Sequence, residues 1–268
     1  MQIWTSPKVT TIGKWSFEGH PNYQVPPDGD NVTRGLAFAA KGCYKSFGAD
    51  GRACEENQRG ILAHQHGSIL EHASVSFYVE GVSRALTLEM NRHRHLGISQ
   101  ESTRYVDESN SGIVLEPYLA ALYHRYEKGW TTEDEAKLVR HHINYSENQI
   151  LEYEREVRWL ENLNPLGLEG FHLRKWARGK ARNLLPHNLE TKVTYTGNLR
   201  CWRHFLETRS TRHAEPEIRR LASHIYDELM AYAPLYFDNQ QYEINMYPET
   251  DIKWYPIYPE YTPKHRKV

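Results

Sequence analysis

Between Arg92 and Tyr105 the chain reads Arg-His-Arg-His-Leu-Gly-Ile-Ser-Gln-Glu-Ser-Thr-Arg-Tyr, with three arginines, two histidines and two serines in fourteen residues. No apolar period runs through the stretch, so it does not read as ordinary core. Arginine presents a rigid fork of donors matched to phosphate and carbonyl oxygens, and it stays charged at any working pH. The stretch therefore reads as a site for a phosphorylated, nucleotide-like ligand. A second basic set, Arg182, Arg200, Arg203, His204 and Arg209, lies downstream. On one helix Arg200 and His204 share a face, whereas Arg209 falls about half a turn out of phase with Arg200 at roughly 3.6 residues per turn. One helix could thus serve two ligands, or its arginines could be solvated decoration. His64-Gln-His66 and His93-Arg-His95 have a spacing found in metal sites. Arg92 and Arg94 would repel a cation, however, and no cysteine lies nearby, so no metal is expected. Ser99 and Ser102 sit near His93 in sequence without a Gly-x-Ser-x-Gly turn, and Ser102 reads better as a binding hydroxyl than as a nucleophile. Neither Gly-x-Gly-x-x-Gly nor a Walker loop is present, so any dinucleotide would be held by side chains, chiefly arginine.

The totals set limits on partners and compartment. A net charge of -1 over 268 residues argues against a general binder of nucleic acid. Hydrophobic content of 39% with 25% charged residues suits an ordinary globular chain with a sizeable core. Three scattered cysteines give neither a disulfide framework nor a zinc pair and suit a reducing compartment. With no apolar signal core and no run near the roughly 18 apolar residues of a membrane span, a cytoplasmic protein without membrane association is expected.

The elements that must position the polar residues follow from periodicity. Lys8 to Ile12 reads as a strand, followed by a loop marked by Pro21, Pro26, Pro27 and Gly29. Leu36, Ala39, Ala40 and Tyr44 predict a helix over 33–47, and a short one fits 52–62. Val75, Phe77 and Val79 alternate as a strand with one buried face, broken at Gly81. A helix over 83–96 would carry Leu86, Met90 and the first arginines, and Tyr105-Val106 would form a short strand. Helices follow over 115–128 and 132–162, the second opened by the capping-box spacing of Thr132 and Glu135. Leu138, Ile143, Ile150, Leu151, Val157 and Leu160 form its apolar stripe. A helix over 168–184 precedes a strand alternating at Leu189, Thr191, Val193 and Tyr195. Asn198 then caps a helix through Arg209, and Glu215-Pro216 begins one that buries Ile218, Leu221, Ile225 and Leu229. With no internal repeat and no linker, residues 1–268 read as a single, mainly helical α+β domain with a Tyr/Pro-rich tail over 235–268.

Arg92-His93-Arg94, seven residues and then Ser102 resemble the signature of the flavin-dependent thymidylate synthase (ThyX) family. The likeness extends through His66-Gly-Ser-Ile-Leu-Glu-His72 and Ala181-Arg182-Asn-Leu-Leu-Pro186. It continues through Thr196-Gly-Asn198-Leu-Arg200-Cys-Trp-Arg-His204-Phe and Arg209-Ser-Thr-Arg-His213-Ala-Glu-Pro-Glu217-Ile. The resemblance implies an α/β fold with a central antiparallel sheet, assembled as a homotetramer whose active sites are shared between subunits. It implies reductive methylation of dUMP to dTMP, with 5,10-methylenetetrahydrofolate giving the carbon, NADPH the reducing equivalents, and bound FAD carrying hydride and the methylene. On matching positions, Ser68, Arg92, His93, Arg94, Gln100, Asn198, Leu199, Arg200 and His204 would touch FAD. Glu89, Met90, Asn91, Arg92, Gln100, Glu101, Ser102, Thr103, Arg104, Arg182 and Arg209 would hold dUMP. Arg209 matches the arginine that polarises the pyrimidine, which makes it the expected catalytic residue and removes the need for a protein nucleophile. Consecutive Arg92, His93 and Arg94 would point about 100° apart on a helix, so two ligands and two subunits are expected to converge there. Gln100 stands where many relatives carry Glu, Glu89 where many carry Gln, and His204 where some carry Asn. Those departures change charge while keeping hydrogen-bonding capacity. The rival reading is a non-catalytic nucleotide- or nucleic-acid-binding module using the same arginines, which the near-neutral charge disfavours.

Overall fold

The computed structural model describes residues 1–238 apart from Arg212, together with the backbone of 242–243 and 255–256. The rest of the Tyr/Pro-rich tail lies outside the described residues. The chain opens with β1 (Ile3–Trp4) and β2 (Lys8–Lys14), then helices α1 (Asn31–Gly42) and α2 (Cys54–Ala63). Next come β3 (Ser74–Ser83), α3 (Arg84–Met90), β4 (Gly97–Gln100) and β5 (Ile113–Val114). Helices α4 (Pro117–Glu127), α5 (Glu133–Leu163) and α6 (Gly170–Ala181) precede β6 (Glu190–Asn198). Helices α7 (Leu199–Arg209), α8 (Pro216–Tyr232) and α9 (Pro234–Phe237) follow.

The central sheet is antiparallel in the order β2-β3-β6-β4, and β1 pairs in parallel with β5 beside it. Val75, Phe77 and Val79 of β3 and Val193 and Tyr195 of β6 turn inward and are buried. They pack against Trp202, Phe205 and Leu206 of α7 and Leu221 and Ile225 of α8. Each of these large apolar side chains contributes about 1.5–3 kcal/mol by leaving water. Alternate residues face the other way, where the Ser76 and Thr196 hydroxyls meet at 2.8 Å. Strand alternation thus placed the centre of the core, and the α+β reading holds. Ile218, Leu221, Ile225 and Leu229 are all buried, as expected. The capping box at Thr132 and Glu135 is formed, each side chain bonding the other's backbone N–H.

Five local expectations need correction. Gly81 does not end β3; it sits inside it at φ +68, where the register slips between Val79 and Val82 as a bulge. A Cβ there would stand 2.3 Å from the Trp4 ring, so the bulge lets β1 lie across the sheet. The helix expected over 83–96 is only Arg84–Met90, followed by turns and β4. Continuing it would require apolar residues near positions 93, 94 and 97, which are His93, Arg94 and Gly97. Tyr105-Val106 is a turn, both N–H groups donating to the Ser102 carbonyl at 2.9 and 3.0 Å. Helix α1 stops at Gly42, leaving Tyr44 exposed outside the core. The buried stripe of α5 runs through Ala136, Val139, Ser146, Ile150, Tyr153 and Val157, so Leu138 and Leu151 face outward.

Candidate active site

Arg209, the last residue of α7, is held on three sides. Its Nη1 donates to the Glu89 carboxylate at 2.6 Å, Nη2 to the Glu89 carbonyl at 3.1 Å, and Nε to His93 Nε2 at 2.9 Å. Because the guanidinium only donates, His93 Nε2 must offer its lone pair, which makes the ring neutral with its proton on Nδ1. Burial, aided by the Arg209 charge, holds the His93 pKa down to about 4. The His204 ring stands 6.0 Å from that of His93, and burial lowers its pKa as well. The Phe205 ring stands 5.2 Å from that of His93 and nearly perpendicular to it.

Local sequence builds this arrangement. Asn198 caps α7, its side-chain oxygen accepting from the Cys201 N–H at 2.9 Å. The turn that carries His93 docks on the same helix, where the Cys201 thiol bonds the His95 carbonyl at 3.4 Å. Gly197 must lack a side chain, since a Cβ would stand 2.6 Å from Leu96 and 3.2 Å from the Trp202 ring. That close approach brings residues 93–96 down onto α7.

A second group forms where β4 ends. The Gln100 amide donates to the hydroxyls of Thr87 at 3.2 Å and Thr191 at 3.4 Å. Arg84 donates to the Glu101 carbonyl at 3.4 Å and feels the charges of Arg182 and Glu108. Arg104 runs along α6 at Gly179. Ser102 is half-buried and Thr103 buried, while Arg104 and Arg182 are exposed. Arg92, Arg94 and Asn91 are exposed on the turn after α3, and the Met90 side chain is in the core.

A third group surrounds a cleft of about 380 Å³ lined by Gly67, Ser68, Ile69 and Arg200, with Ala40 and Ile61 among its apolar walls. Arg200 pairs with Glu71 at 2.5 Å. A Cβ on Gly67 would approach the Arg200 Nε to 3.1 Å, so glycine leaves room for the guanidinium. Hydroxyl, arginine and apolar wall together suit a ligand with phosphates and a flat ring. The Leu199 side chain is fully buried and its N–H bonds the Ala73 carbonyl at 3.0 Å, so neither group faces the cleft.

Helix α7 therefore serves two of the groups, Arg200 at one end and His204 with Arg209 toward the other. Arg203 instead donates to the Tyr236 carbonyl and ties down α9. From sequence, Glu71, Arg84 and Thr87 do not read as site residues, and Thr191 reads only as a strand residue. Glu71 alone carried a signal, since it lies inside the His66–His72 block. The other three become partners only in the fold, where Gln100 of β4 reaches Thr87 of α3 and Thr191 of β6, and Arg84 reaches Glu101. Among the described residues no three His, Cys, Asp or Glu side chains stand together as metal ligands, and His64 bonds the Gly60 carbonyl at 2.8 Å.

Residues 29–235 match the profile of the family described as thymidylate synthase complementing protein. The chain is 36% identical over 236 residues to a flavin-dependent thymidylate synthase of Mycolicibacterium gilvum, covering 87% of this chain and 89% of that one. It is 37% identical over 233 residues to the Mycobacterium tuberculosis enzyme of the same name, covering 86% and 88%. Among solved structures, a UMP/dUMP methylase from Streptomyces cacaoi, bound with 5-bromo-dUMP, superposes with a TM-score of 0.64. That pair shares 20% identity over 89% of this chain and 96% of the other, a likeness of fold.

Proposed function

We propose that this chain, which belongs to the family of flavin-dependent thymidylate synthases, converts dUMP to dTMP by reductive methylation. The observation that carries this reading is the anchoring of Arg209 by Glu89 and His93 at 2.6–3.1 Å. A cation fixed in that way stays put while charge develops on a bound pyrimidine. It stabilises the ionised ring whose C5 attacks a one-carbon unit, and the stabilisation needs no reorganisation at that moment. Ser102 is then a binding hydroxyl rather than a nucleophile. Glu89 to Arg92, Gln100 to Arg104, Arg182 and Arg209 are the proposed dUMP contacts.

The cleft donors fit a flavin dinucleotide. Arg200 and Ser68 suit its phosphates, and the missing side chain of Gly67 keeps the guanidinium in place. Arg92, His93, Arg94, Gln100, Asn198 and His204 complete the proposed FAD contacts; Leu199, buried and with its N–H taken by Ala73, drops out of that set. When bound, FAD supplies reducing equivalents drawn from NADPH, and 5,10-methylenetetrahydrofolate supplies the carbon. His93, neutral above about pH 4, orients Arg209 without competing for the ligand's negative charge. The exposure of Arg92, Arg94, Arg104 and Arg182 suits a site completed by neighbouring subunits of a homotetramer.

Tritium release from 5-³H-dUMP tests the reading. Release is expected only when FAD, 5,10-methylenetetrahydrofolate and NADPH are all present. No release under any combination, from protein that binds flavin, would overturn it.

A further inference from the structure

We propose that Glu217 is a positioning residue for the Arg209 anchor, acting through Ser83 at the start of α3. The inference rests on the thymidylate synthase reading for its effect on turnover, but not for its effect on the anchor itself.

Ser83 lies where β3 hands over to α3, and its hydroxyl has two tasks. The oxygen accepts the Leu86 N–H at 3.0 Å and so caps α3, while the O–H donates to Glu217 Oε2 at 2.6 Å. The Ser83 N–H donates to Glu217 Oε1 at 2.8 Å. Both carboxylate oxygens of one buried residue thus hold one serine. Glu217 sits in the first turn of α8, a position that favours an anion, and its own N–H bonds Glu215 at 2.9 Å. The charged groups near it are Glu215 and Arg220, and Glu215 in turn faces Glu116 and Arg219.

Helix α3 has only seven residues, so whatever sets its first turn sets its last. From that last turn Glu89 supplies both the carboxylate and the carbonyl that grip Arg209. His93 follows on the next turn, its N–H bonded to the Met90 carbonyl at 3.0 Å. Thr87, in the middle of the helix, receives Gln100. A helix this short forms no stable unit alone, and the Glu217–Ser83 brace connects it to α8, a long helix seated in the core.

A second observation separates this role from simple fold support. Burial raises the Glu217 pKa to about 6, so its charged form is disfavoured where it sits. Glutamine, neutral and of the same shape, would remove that penalty but offers one acceptor oxygen to the two Ser83 donors, so one of them loses its partner. The carboxylate carries a burial cost while gripping both Ser83 donors, and that double grip is what sets the start of α3.

The test is Glu217→Gln in the intact assembly, read by three measurements. The titration of His93 is followed by NMR on protein with labelled histidine, its signal identified by its loss in His93→Asn. Thermal stability is taken at pH 7, and kcat and KM for dUMP come from tritium release. The expected result is a His93 midpoint raised by at least about half a pH unit, with Tm lowered by no more than about a few degrees, kcat lowered about tenfold, and flavin retained. An unmoved His93 midpoint with wild-type kcat would overturn the proposal, and so would a parallel loss of Tm, flavin and activity. A wild-type protein that releases no tritium, yet shows the His93 shift on substitution, would reject the activity and leave the brace standing. Glu217→Asp, which keeps the charge but retreats by one methylene, should move His93 in the same direction and serves if Glu217→Gln does not fold.

Discussion

Arg209 and His93 make sharply different demands on the solvent. The arginine is charged throughout, and its removal takes away the cation while leaving Glu89 and His93 unpaired. For Arg209→Ala we expect dTMP formation to fall at least about a hundredfold, in line with the loss of one preorganised electrostatic donor. Flavin absorbance should persist, and loss of flavin instead would reassign the residue to cofactor binding. Ser102→Ala should keep measurable activity; abolished turnover with intact dUMP binding would restore a nucleophilic role. The histidine gives a pH signature. Its pKa is depressed from 6.5 to about 4 in the fold, so the unfolded chain takes up the proton first. Stability from this group is therefore complete above about pH 6.5 and is lost as pH falls toward 4, by roughly 3 kcal/mol. Glu217 has the opposite sign, because a raised carboxylate pKa lends stability at low pH that fades as pH climbs from 4.5 to about 6. Urea unfolding of wild type and His93→Asn between pH 4 and 7 measures the first effect as the part that the variant lacks.

Two of the elements depend on single positions more than on their average propensity. The β3 bulge places a positive φ and the Trp4 ring at Gly81, so any side chain there is both strained and crowded. Gly81→Val should cost about 3 kcal/mol or more, or abolish soluble protein, because strain and overpacking add. An unchanged Tm would show that β1 can lift away. At α5 the load is lighter. Thr132→Ala loses one side of an exposed capping box and should cost about 1 kcal/mol, visible as a small shift in the urea midpoint with no change in turnover. Helix α7 shows why placement matters more than propensity. Asn198 caps it, Gly197 lets the 93–96 turn approach, and Arg200 and Arg209 then emerge toward different groups.

The proposed homotetramer would bring polar groups of different chains together. Trp159, Leu163, Leu166 and Phe171 are exposed around the turn between α5 and α6. Clustered exposed apolar side chains of this kind commonly mark a protein contact, which agrees with the proposed homotetramer. If Arg182 and Arg209 reach one site from different subunits, Arg182→Ala and Arg209→Ala proteins, each inactive, should regain part of the wild-type turnover when mixed and reassembled. A mixture that stays inactive while subunit exchange is demonstrated would place both arginines in the same chain's site.

Much of this protein was set by local chemistry. Strand alternation at Val75, Phe77, Val79, Val193 and Tyr195, helical spacing at Ile218 to Leu229, and the caps at Thr132 and Asn198 act over a few residues, and each appears in the fold. Chemical type flagged the basic stretches that hold His93 and Arg209, since charge and hydrogen-bonding capacity belong to the side chain itself, but the role of Arg209 came from the family resemblance. Partnership did not follow from type. The Arg209–Glu89 and Arg209–His93 contacts join residues 120 and 116 positions apart, and Ser83 meets Glu217 across 134. No local period encodes such pairs, because they exist only after β3 and β6 align and α7 and α8 pack against their shared face. The short α3, the retained Gly81 bulge and the neutral state of His93 are settled there too, by crowding and burial that form only when the chain closes on itself.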